Sequence, residues 1–312
     1  MDAAIRTEKL GKVYRSGFWR IAFTGLRDLD LEVPTGVAFG FVGPNGAGKT
    51  TTIKMLMGLQ APTSGNAWIH GVPIADYRSR QSVGFLPERP YFYEHLTAYE
   101  FLDFYARLAD VPAHERRPRI TTLLERVNLD RFRDVALGKF SKGMLQRAGL
   151  AQALVGDPRL VVLDEPMSGL DPLGRVLVRD LILEERKNGR TVFFSSHILS
   201  DVEAICDRVA IVVGGALRGH GTVSELLGET THVVEVAVRV SVALPWPVSR
   251  VDGDVSHLRV TPEEVDAVVD AVRASGGRVL SVVPVQKTLE QVLLDEVERA
   301  RPVDAARMGV LT

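Results

Sequence analysis

Residues 43–50 read Gly43-Pro44-Asn45-Gly46-Ala47-Gly48-Lys49-Thr50 and match the pattern G-x-x-x-x-G-K-[ST] at every fixed position. They follow a strand-like segment, residues 37–42, and precede residues 53–59, where apolar side chains recur at helical spacing. Glycines let the backbone turn tightly and approach an anion, and successive N–H groups then point inward toward it. The order of strand, glycine loop and helix therefore predicts a phosphate-binding loop that opens a helix.

Three side chains at the end of this loop have the chemistry that a bound nucleotide requires. Lys49 is placed to reach the β- and γ-phosphates, Thr50 to offer its hydroxyl to Mg²⁺, and Thr51 to add a further phosphate contact. All residues of the loop and Thr51 are therefore candidate nucleotide-binding residues. The loop alone leaves open which class of nucleotide-hydrolysing enzyme the chain represents.

The composition of the 312-residue chain sets wider limits. Its 46% hydrophobic and 25% charged residues are ordinary for a globular protein, and the length suits a large core with one appended domain. A net charge of −1 gives no overall attraction to nucleic acid, so we expect no nucleic-acid partner. Cys206 is the only cysteine, which excludes an internal disulfide and favours a reducing compartment.

The apolar runs are too short to suggest that the chain crosses a membrane by itself. The longest, such as residues 160–163 and 209–213, are far below the ~20 residues that a bilayer-spanning helix needs. The N-terminal residues lack a basic segment followed by an apolar run, so we expect no signal peptide.

Alternating strands and helices predict an α/β fold for most of the chain. Residues 160–163 and 191–194 are continuous apolar runs, typical of strands buried on both faces of a parallel sheet. From about residue 88 to 157 the pattern is mainly helical, and Thr97 with Glu100 predicts a capping box at one helix start.

Two aromatic segments need interpretation. Phe101, Tyr105 and Leu108 share one helix face, which we interpret as core. Residues 16–23 (SGFWRIAF) form an aromatic and basic insert between two strand-like segments. The insert is either a hairpin tip packed on its own strands or a contact surface for nucleotide or a partner.

The character of the sequence changes after about residue 221. Strand-like and helical segments of a smaller unit follow, and Thr288 with Gln291 predicts a second capping box. We expect a core domain over residues 1–221, a linker over 222–230, a small α+β accessory domain over 231–300 and a disordered tail over 301–312.

Four further segments follow the phosphate loop in a fixed order. Ser141-Lys142-Gly143-Met144-Leu145-Gln146 places a hydroxyl and a bare glycine at a predicted helix start, which forms a second anion site or, taken alone, a plain N-cap. Asp164-Glu165 ends the apolar run 160–163, so both carboxylates emerge at the carboxyl edge of the sheet, where ligands bind. Ser168-Gly169-Leu170-Asp171 and then His197 complete the series.

These segments, over roughly residues 3 to 221, resemble the motifs of the ATP-binding subunits of ABC transporters. Residues 141–146 are similar to the S-x-G-x-x-Q signature, Asp164-Glu165 to the acidic nucleotide motif, residues 168–171 to the D-loop, and His197 to the switch histidine. Several motifs in one order are a stronger signal than any one alone. The resemblance implies a P-loop NTPase core of the ABC ATPase type, with a mixed sheet, an antiparallel β subdomain and a helical subdomain over about residues 88–157.

The resemblance also implies ATP hydrolysis with Mg²⁺ and assigns the catalytic residues. Glu165 is expected to act as general base on the attacking water, while Lys49 and His197 contact the γ-phosphate. Asp164 and Thr50 are expected to hold Mg²⁺.

Other residues are expected to bind the nucleotide. Tyr14 resembles the adenine-stacking aromatic of the family, although it also fits a core tyrosine at a strand end. One phosphate loop and one signature helix of the same chain cannot serve the same ATP, so the resemblance implies a head-to-tail homodimer in which each signature segment covers the partner's ATP. The residues expected on that side are Ser141, Gly143, Gln146 and Asp171.

Glu88 departs from the family pattern, which usually has glutamine at this junction between the core and the helical subdomain. A carboxylate still binds Mg²⁺, and more strongly than an amide, so we retain Glu88 as a candidate metal ligand. Its charge would lie where the membrane partner is expected to dock. The segment FLPE, the signature FSKGM and the appended C-terminal domain resemble an export-type branch of the family.

The predicted function is that of an ATP-hydrolysing subunit at the cytoplasmic face of the membrane, driving a separate permease and working in export by analogy. The alternative is a soluble ABC-type ATPase acting on nucleic acid, ribosomes or protein assembly. Such proteins tend to carry two ATPase cores, long coiled coils or cysteine-rich modules, which this sequence lacks. A regulatory protein with a dead site is disfavoured by the intact Lys49, Asp164, Glu165 and His197. The role of residues from about 231 onward stays open between dimer stabilisation, regulation and partner binding.

Overall fold

The computed structural model describes residues 3–16, 21–228, 233–285 and 288–308. Its contacts divide the chain into one unit of Met1–Val223 with Leu293–Thr312 and a second unit of Ser224–Val292. The strands are β1 (Ala3–Ser16), β2 (Ile21–Pro34), β3 (Ala38–Val42), β4 (Ser64–Ile69), β5 (Val72–Pro73), β6 (Val83–Leu86), β7 (Leu160–Leu163), β8 (Thr191–Ser196), β9 (Arg208–Val213), β10 (Ala216–Thr222), β11 (Val234–Arg239), β12 (Val248–Asp252), β13 (Val255–Val260) and β14 (Arg278–Pro284). The helices are α1 (Lys49–Leu56), α2 (Ala98–Leu108), α3 (Ala113–Arg126), α4 (Lys142–Leu154), α5 (Pro172–Lys187), α6 (Leu199–Ile205), α7 (Val223–Leu227), α8 (Val265–Ala274) and α9 (Leu289–Met308).

A six-stranded sheet in the order β10-β9-β3-β8-β7-β6 forms the centre of the first unit. Strands β3 and β6 to β9 run parallel, and only β10 is antiparallel to its neighbour. Every residue of β3, β7 and β8 is buried, which explains why these strands read as continuous apolar runs. The parallel register brings the carboxyl ends of β3, β6, β7 and β8 to one edge of the sheet, so the residues that follow them meet there.

A second sheet, in the antiparallel order β2-β1-β4-β5, covers the core sheet. The two sheets share one hydrophobic cluster that includes Ile5, Phe39, Met55 and Phe193, all at most 1% exposed. Burying each such side chain contributes roughly 1.5–3 kcal/mol of transfer free energy. The mixed architecture and its antiparallel layer confirm the fold predicted from the sequence.

The β1–β2 hairpin contains the aromatic insert. Residues 17–20 at its centre lie outside the described residues, so the hairpin-tip interpretation applies only to the flanks. On those flanks Tyr14 pairs with Phe23 across the two strands, and their ring centroids are 6.4 Å apart.

Cys206 is buried against β3 in the first unit. A Cβ atom added to Gly40 would lie 2.9 Å from Cys206 Sγ and 2.8 Å from a methyl group of Val202, so only glycine fits there. Burial raises the pKa of the Cys206 thiol well above its ordinary value.

The helical segment confirms the capping box and corrects the predicted core face. Thr97 Oγ1 accepts the N–H of Glu100 at 3.2 Å, and the Thr97 N–H donates to Glu100 Oε2 at 2.8 Å. Phe101 is buried as predicted, whereas Leu108, on the same face of α2, is 65% exposed. The prediction of a uniformly buried face was wrong because the last turn of α2 lines an open groove.

A buried ion cluster connects the helical segment to the core. The Glu185 carboxylate on α5 contacts the guanidinium groups of Arg126 on α3 and Arg190 before β8, and its side chain is only 2% exposed. Arg126 also reaches Glu184 at 2.9 Å. Two cations satisfy one buried carboxylate, which is the condition under which a buried charge is tolerated.

The second unit is an antiparallel sheet, β12-β13-β11-β14, with α8 on one face. Val236, Val238, Leu258, Val268 and Val272 form its small core and are fully buried. This confirms the predicted α+β character of the unit.

The segments predicted to be a linker and a tail contain regular secondary structure. The expected linker, residues 222–230, begins with the end of β10 and helix α7; residues 229–232 lie outside the described residues. Gln291 N–H donates to Thr288 Oγ1 at 3.3 Å at the start of α9, as the second capping box predicts. The tail expected to be disordered from residue 301 is helical as far as Met308; residues 309–312 lie outside the described residues. No helix in the described part of the chain is long and apolar enough to span a bilayer.

Candidate nucleotide site

The phosphate loop joins β3 to α1 and has little room for side chains. Gly48 precedes the helix with φ 104°, a backbone conformation that only glycine adopts readily. A Cβ atom on Gly43 would lie 2.1 Å from the carbonyl oxygen of Val212. These constraints explain the glycine positions of the motif and give the loop its close backbone approach to a ligand.

Lys49 is folded back over the loop. Its ammonium group donates to the carbonyl of Gly43 at 2.6 Å and to that of Pro44 at 3.3 Å. It also lies 3.4 Å from Glu165 Oε1, with 6% of its own side chain exposed. The cation predicted to meet the β- and γ-phosphates is therefore held inside the loop by acceptors that a phosphate can replace.

Asp164 follows β7 and is almost completely buried. Ser195 Oγ donates to Asp164 Oδ1 at 2.7 Å, and Thr50 Oγ1 donates to the same oxygen at 3.3 Å. Burial raises the pKa of Asp164 above its ordinary value; the hydrogen bonds from Ser195 and Thr50 oppose this rise, and the charges of Glu88 and Glu165 add to it. A carboxylate among negative neighbours is a suitable ligand for a cation.

Glu165 comes next in the chain and has a strained backbone. Its φ is 51°, which costs a non-glycine residue roughly 1–3 kcal/mol. Its N–H donates to Ser195 Oγ at 2.9 Å, and its Oε2 lies 2.7 Å from His197 Nδ1. The predicted general base thus lies between Lys49 and the predicted switch histidine, His197.

Lys49, Thr50 and Glu165 line one open cavity of about 420 Å³ at the carboxyl edge of the core sheet, whereas the buried Asp164 lies behind its wall in contact with Thr50. The cavity brings together most of the residues that the sequence predicted, from the phosphate loop through Glu88 and Glu165 to His197. The lining residues are Phe23, Gly25, Asn45, Gly46, Ala47, Gly48, Lys49, Thr50, Thr51, Glu88, Glu165, Ser168 and His197.

Tyr14 does not line this cavity, although it lies beside it. Its hydroxyl donates to Gln60 Oε1 at 2.8 Å and lies 3.1 Å from Thr51 Oγ1. Phe23 does line the cavity, and 61% of its surface is exposed. Sequence reasoning missed Phe23 as an individual residue because its position depends on the pairing of β1 with β2; the aromatic insert was the signal.

The signature segment forms a second cavity, also about 420 Å³, which shares no lining residue with the first. Ser141 caps α4, with its Oγ accepting the N–H of Met144 at 3.2 Å, and Gly143 leaves the helix start open. Asp171 lines the same cavity and caps α5 through the N–H of Gly174 at 2.8 Å.

Gln146 is placed differently from the other signature residues. It is 8% exposed, lies outside this cavity, and donates from Nε2 to the carbonyl of Pro166 at 3.0 Å. It therefore connects the signature helix to the segment just after Glu165.

The oxygen atoms of Thr50 and Asp164 fit a Mg²⁺ ion. Both face each other at the end of the phosphate loop, and Mg²⁺ prefers oxygen ligands with phosphate and water completing the shell. Glu88 lines the cavity of the phosphate loop, and its side chain is half-exposed. Within the described residues, no group of three His, Cys, Asp or Glu side chains is arranged to hold a metal by itself.

Comparisons with known proteins agree with this geometry. Residues 26–168 match the model of a protein family described as "ABC transporter". An uncharacterized ABC transporter ATP-binding protein of Nostoc is 42% identical over 95% of this chain and 90% of its own length. A second uncharacterized protein of that description, from Synechocystis, is 48% identical over 72% of this chain and 64% of its own length.

Solved structures of the same kind match about 70% of the chain. An ATP-binding subunit of an ABC transporter has a TM-score of 0.65 and 32% identity, covering 72% of this chain and 91% of its own. The protein cbiO1 of Clostridium perfringens, described as part of the ABC transporter complex cbiONQ, has a TM-score of 0.62 and 28% identity, covering 71% and 89%. The chain therefore belongs to the ABC transporter ATP-binding proteins, which are ATPases.

Proposed function

We propose that two copies of this ATPase subunit pair head to tail around two ATP molecules and drive a separate membrane permease, in the direction of export. The observation that carries the pairing is that the phosphate loop and the signature segment line two cavities with no residue in common. Each cavity offers a helix start suited to an anion, so each is one half of a site. A two-fold dimer supplies both halves to each ATP.

In the proposed cycle, the γ-phosphate replaces Glu165 as the partner of Lys49. The released Glu165 carboxylate, oriented by His197 at 2.7 Å, then accepts a proton from the attacking water. Lys49 and His197 offset the charge on the transferring phosphoryl group. When bound by Thr50 and Asp164, Mg²⁺ would neutralise charge on the β- and γ-phosphate oxygens.

A groove of about 630 Å³ supports the proposal of a permease partner. It lies between the segment after β6 and helices α2 and α4, and its lining includes Phe85, Tyr105 and the exposed side chains of Tyr91 and Leu108. Large exposed apolar side chains around a groove are typical of a surface that takes a partner. We propose that a helix at the cytoplasmic end of the permease docks here, which would place the subunit at the cytoplasmic face of the membrane.

The segment of residues 87–91 connects this groove to the nucleotide cavity. Pro87 and Pro90 line the groove, whereas Glu88 between them lines the nucleotide cavity. A shift of Glu88 on ATP binding or hydrolysis would therefore move the groove wall. The membership of cbiO1 in a transporter complex is consistent with such a partner.

The experiment that tests this proposal is copurification of the full chain from detergent-solubilised membranes with and without the Glu165→Gln substitution. We expect a membrane protein to copurify and the variant, with ATP, to be trapped as a dimer of the 34.2 kDa chain. An active ATPase recovered entirely from the soluble fraction, with no membrane protein attached, would favour the alternative of a soluble ABC-type ATPase.

A further inference from the structure

Ser195 near the end of β8 has two hydrogen bonds, and both reach residues of the acidic motif. Its Oγ donates to Asp164 Oδ1 at 2.7 Å and accepts the N–H of Glu165 at 2.9 Å. A backbone N–H can only donate, so the single hydroxyl proton is directed to the carboxylate of Asp164. One buried hydroxyl therefore connects the side chain of one residue to the backbone of the next.

The surroundings of Ser195 explain why a hydroxyl lies in an apolar strand. Its surface is 0% exposed, and the preceding residues of β8, Phe193 and Phe194, belong to the hydrophobic core. Burying a hydroxyl is unfavourable unless it is hydrogen-bonded, and here both bonds are made. The strand places this group opposite the end of β7, because Leu163 pairs with Phe194 in the parallel register.

Both contacts act on atoms that decide the chemistry of the site. Ser195 and Thr50 both donate to Oδ1 of Asp164, and the hydrogen bond from Ser195 is the shorter of the two. Ser195 therefore fixes the position of the carboxylate that faces the Thr50 hydroxyl. The bond from the Glu165 N–H holds the backbone at φ 51°, from which the Glu165 side chain reaches His197 and Lys49. Outer residues of this kind commonly change activity or metal affinity by about 10–100-fold when altered.

We propose that Ser195 is a positioning residue. Its hydroxyl holds the cation-binding carboxylate of Asp164 and the catalytic carboxylate of Glu165 in a fixed position relative to each other. The proposal rests on the roles assigned above to those two residues. It predicts that one hydroxyl controls both divalent-cation binding and the chemical step, while ATP binding, which rests mainly on the phosphate loop, changes much less.

The test compares Ser195→Ala with a matched control on the same strand, Thr191→Val. Thr191 is 1% exposed, and its hydroxyl accepts the N–H of Gly36 at 2.9 Å, far from the acidic motif. Both variants thus remove one buried hydroxyl that accepts a backbone N–H. Each purified chain is assayed for kcat and KM, for affinity of a fluorescent ATP analogue in EDTA, and for Mn²⁺ binding with ADP by electron paramagnetic resonance.

We expect Ser195→Ala to lower kcat by about 10–100-fold and to weaken Mn²⁺ binding, with KM and nucleotide affinity in EDTA little changed. Thr191→Val should lower only the unfolding midpoint, and Ser195→Thr, which keeps the hydroxyl, should recover most of kcat. If Ser195→Ala does not fold, Ser195→Cys weakens the same two bonds at similar volume.

Wild-type kcat and Mn²⁺ affinity in Ser195→Ala, or equal losses in Thr191→Val, would overturn the proposal. Glu165→Gln is assayed in parallel, so that a failure of the Ser195 proposal can be distinguished from a failure of the site assignment. Normal turnover of Glu165→Gln would refute the role of Glu165 itself, whereas a slow Glu165→Gln beside a normal Ser195→Ala would refute only the role of Ser195.

Discussion

Lys49 and Glu165 form an ion pair across the nucleotide cavity, with Nζ and Oε1 3.4 Å apart and both side chains largely buried. The cation of the phosphate loop and the carboxylate proposed to be catalytic thus partly neutralise each other. In the proposed cycle ATP brings its own negative charge to Lys49, so that binding exchanges one anionic partner of Lys49 for another. ATP affinity and the release of Glu165 are therefore coupled.

Replacing Glu165 by glutamine should tighten ATP binding and slow hydrolysis. The neutral amide no longer competes for Lys49, and it cannot accept the proton of the attacking water; loss of a general base costs about 10²–10⁴-fold in rate. Fluorescence titration and phosphate release measure the two effects. Weaker ATP binding in this variant would contradict the competition between the carboxylate and the phosphate.

Lys49→Ala should abolish tight ATP binding, because the buried cation at the phosphate loop is lost. Lys54→Ala is the matched control, since Lys54 lies on the same helix with an exposed side chain. Isothermal titration calorimetry with ATP compares the two. Equal affinities for both variants would be incompatible with the assigned phosphate loop.

Phe23→Ala should weaken ATP binding by roughly tenfold, as expected for the loss of about 1–2 kcal/mol of stacking between an aromatic ring and a base. Tyr14→Phe keeps its ring but loses the hydrogen bonds to Thr51 and Gln60, so its effect should be smaller. Comparing ATP with inorganic triphosphate separates base contacts from phosphate contacts. A loss in Phe23→Ala that is equal for both ligands would argue against stacking.

Glu88→Gln should shift the acid limb of ATPase activity to lower pH. The negative charge of Glu88 helps to raise the pKa of Asp164, after the larger effect of burial. Removing that charge lowers the pKa of Asp164, so its carboxylate stays ionised, and able to bind a cation, at lower pH. A kcat/KM profile between pH 5 and 8 measures the shift, and movement of the limb to higher pH would contradict the assignment.

Glu185→Ala should lower the free energy of unfolding by about 3–5 kcal/mol, because it leaves Arg126 and Arg190 without their buried carboxylate. Glu8→Ala, which breaks an exposed pair with Arg6 on β1, should cost less than about 1 kcal/mol. Urea denaturation of the two variants gives the comparison. Similar losses would show that the Glu185 cluster contributes no more to the free energy of unfolding than a surface ion pair does.

The sequence predicted the parts of the site that are contiguous in the chain. The phosphate loop, the strand-end Asp164 and Glu165, and the cap at Ser141 each depend on local spacing that needs no knowledge of the tertiary fold. Ser195 was missed because its role depends on two strands, β7 and β8, lying side by side in one register. Leu108 was placed in the core because periodicity identifies a shared face but does not show that the last turn of α2 lines an open groove.

Cys206 packs against Gly40 and is the only thiol in the chain. Its thiolate, the form that reacts with alkylating reagents, is scarce because burial raises the pKa of the group. A cysteine introduced on the surface, for example at Leu173 in the signature cavity or Tyr91 at the groove, would therefore accept a spectroscopic label selectively in the otherwise natural sequence. Modification of Cys206 itself would report that α6 has separated from β3. The rate at which this natural thiol is alkylated therefore measures how often the core opens.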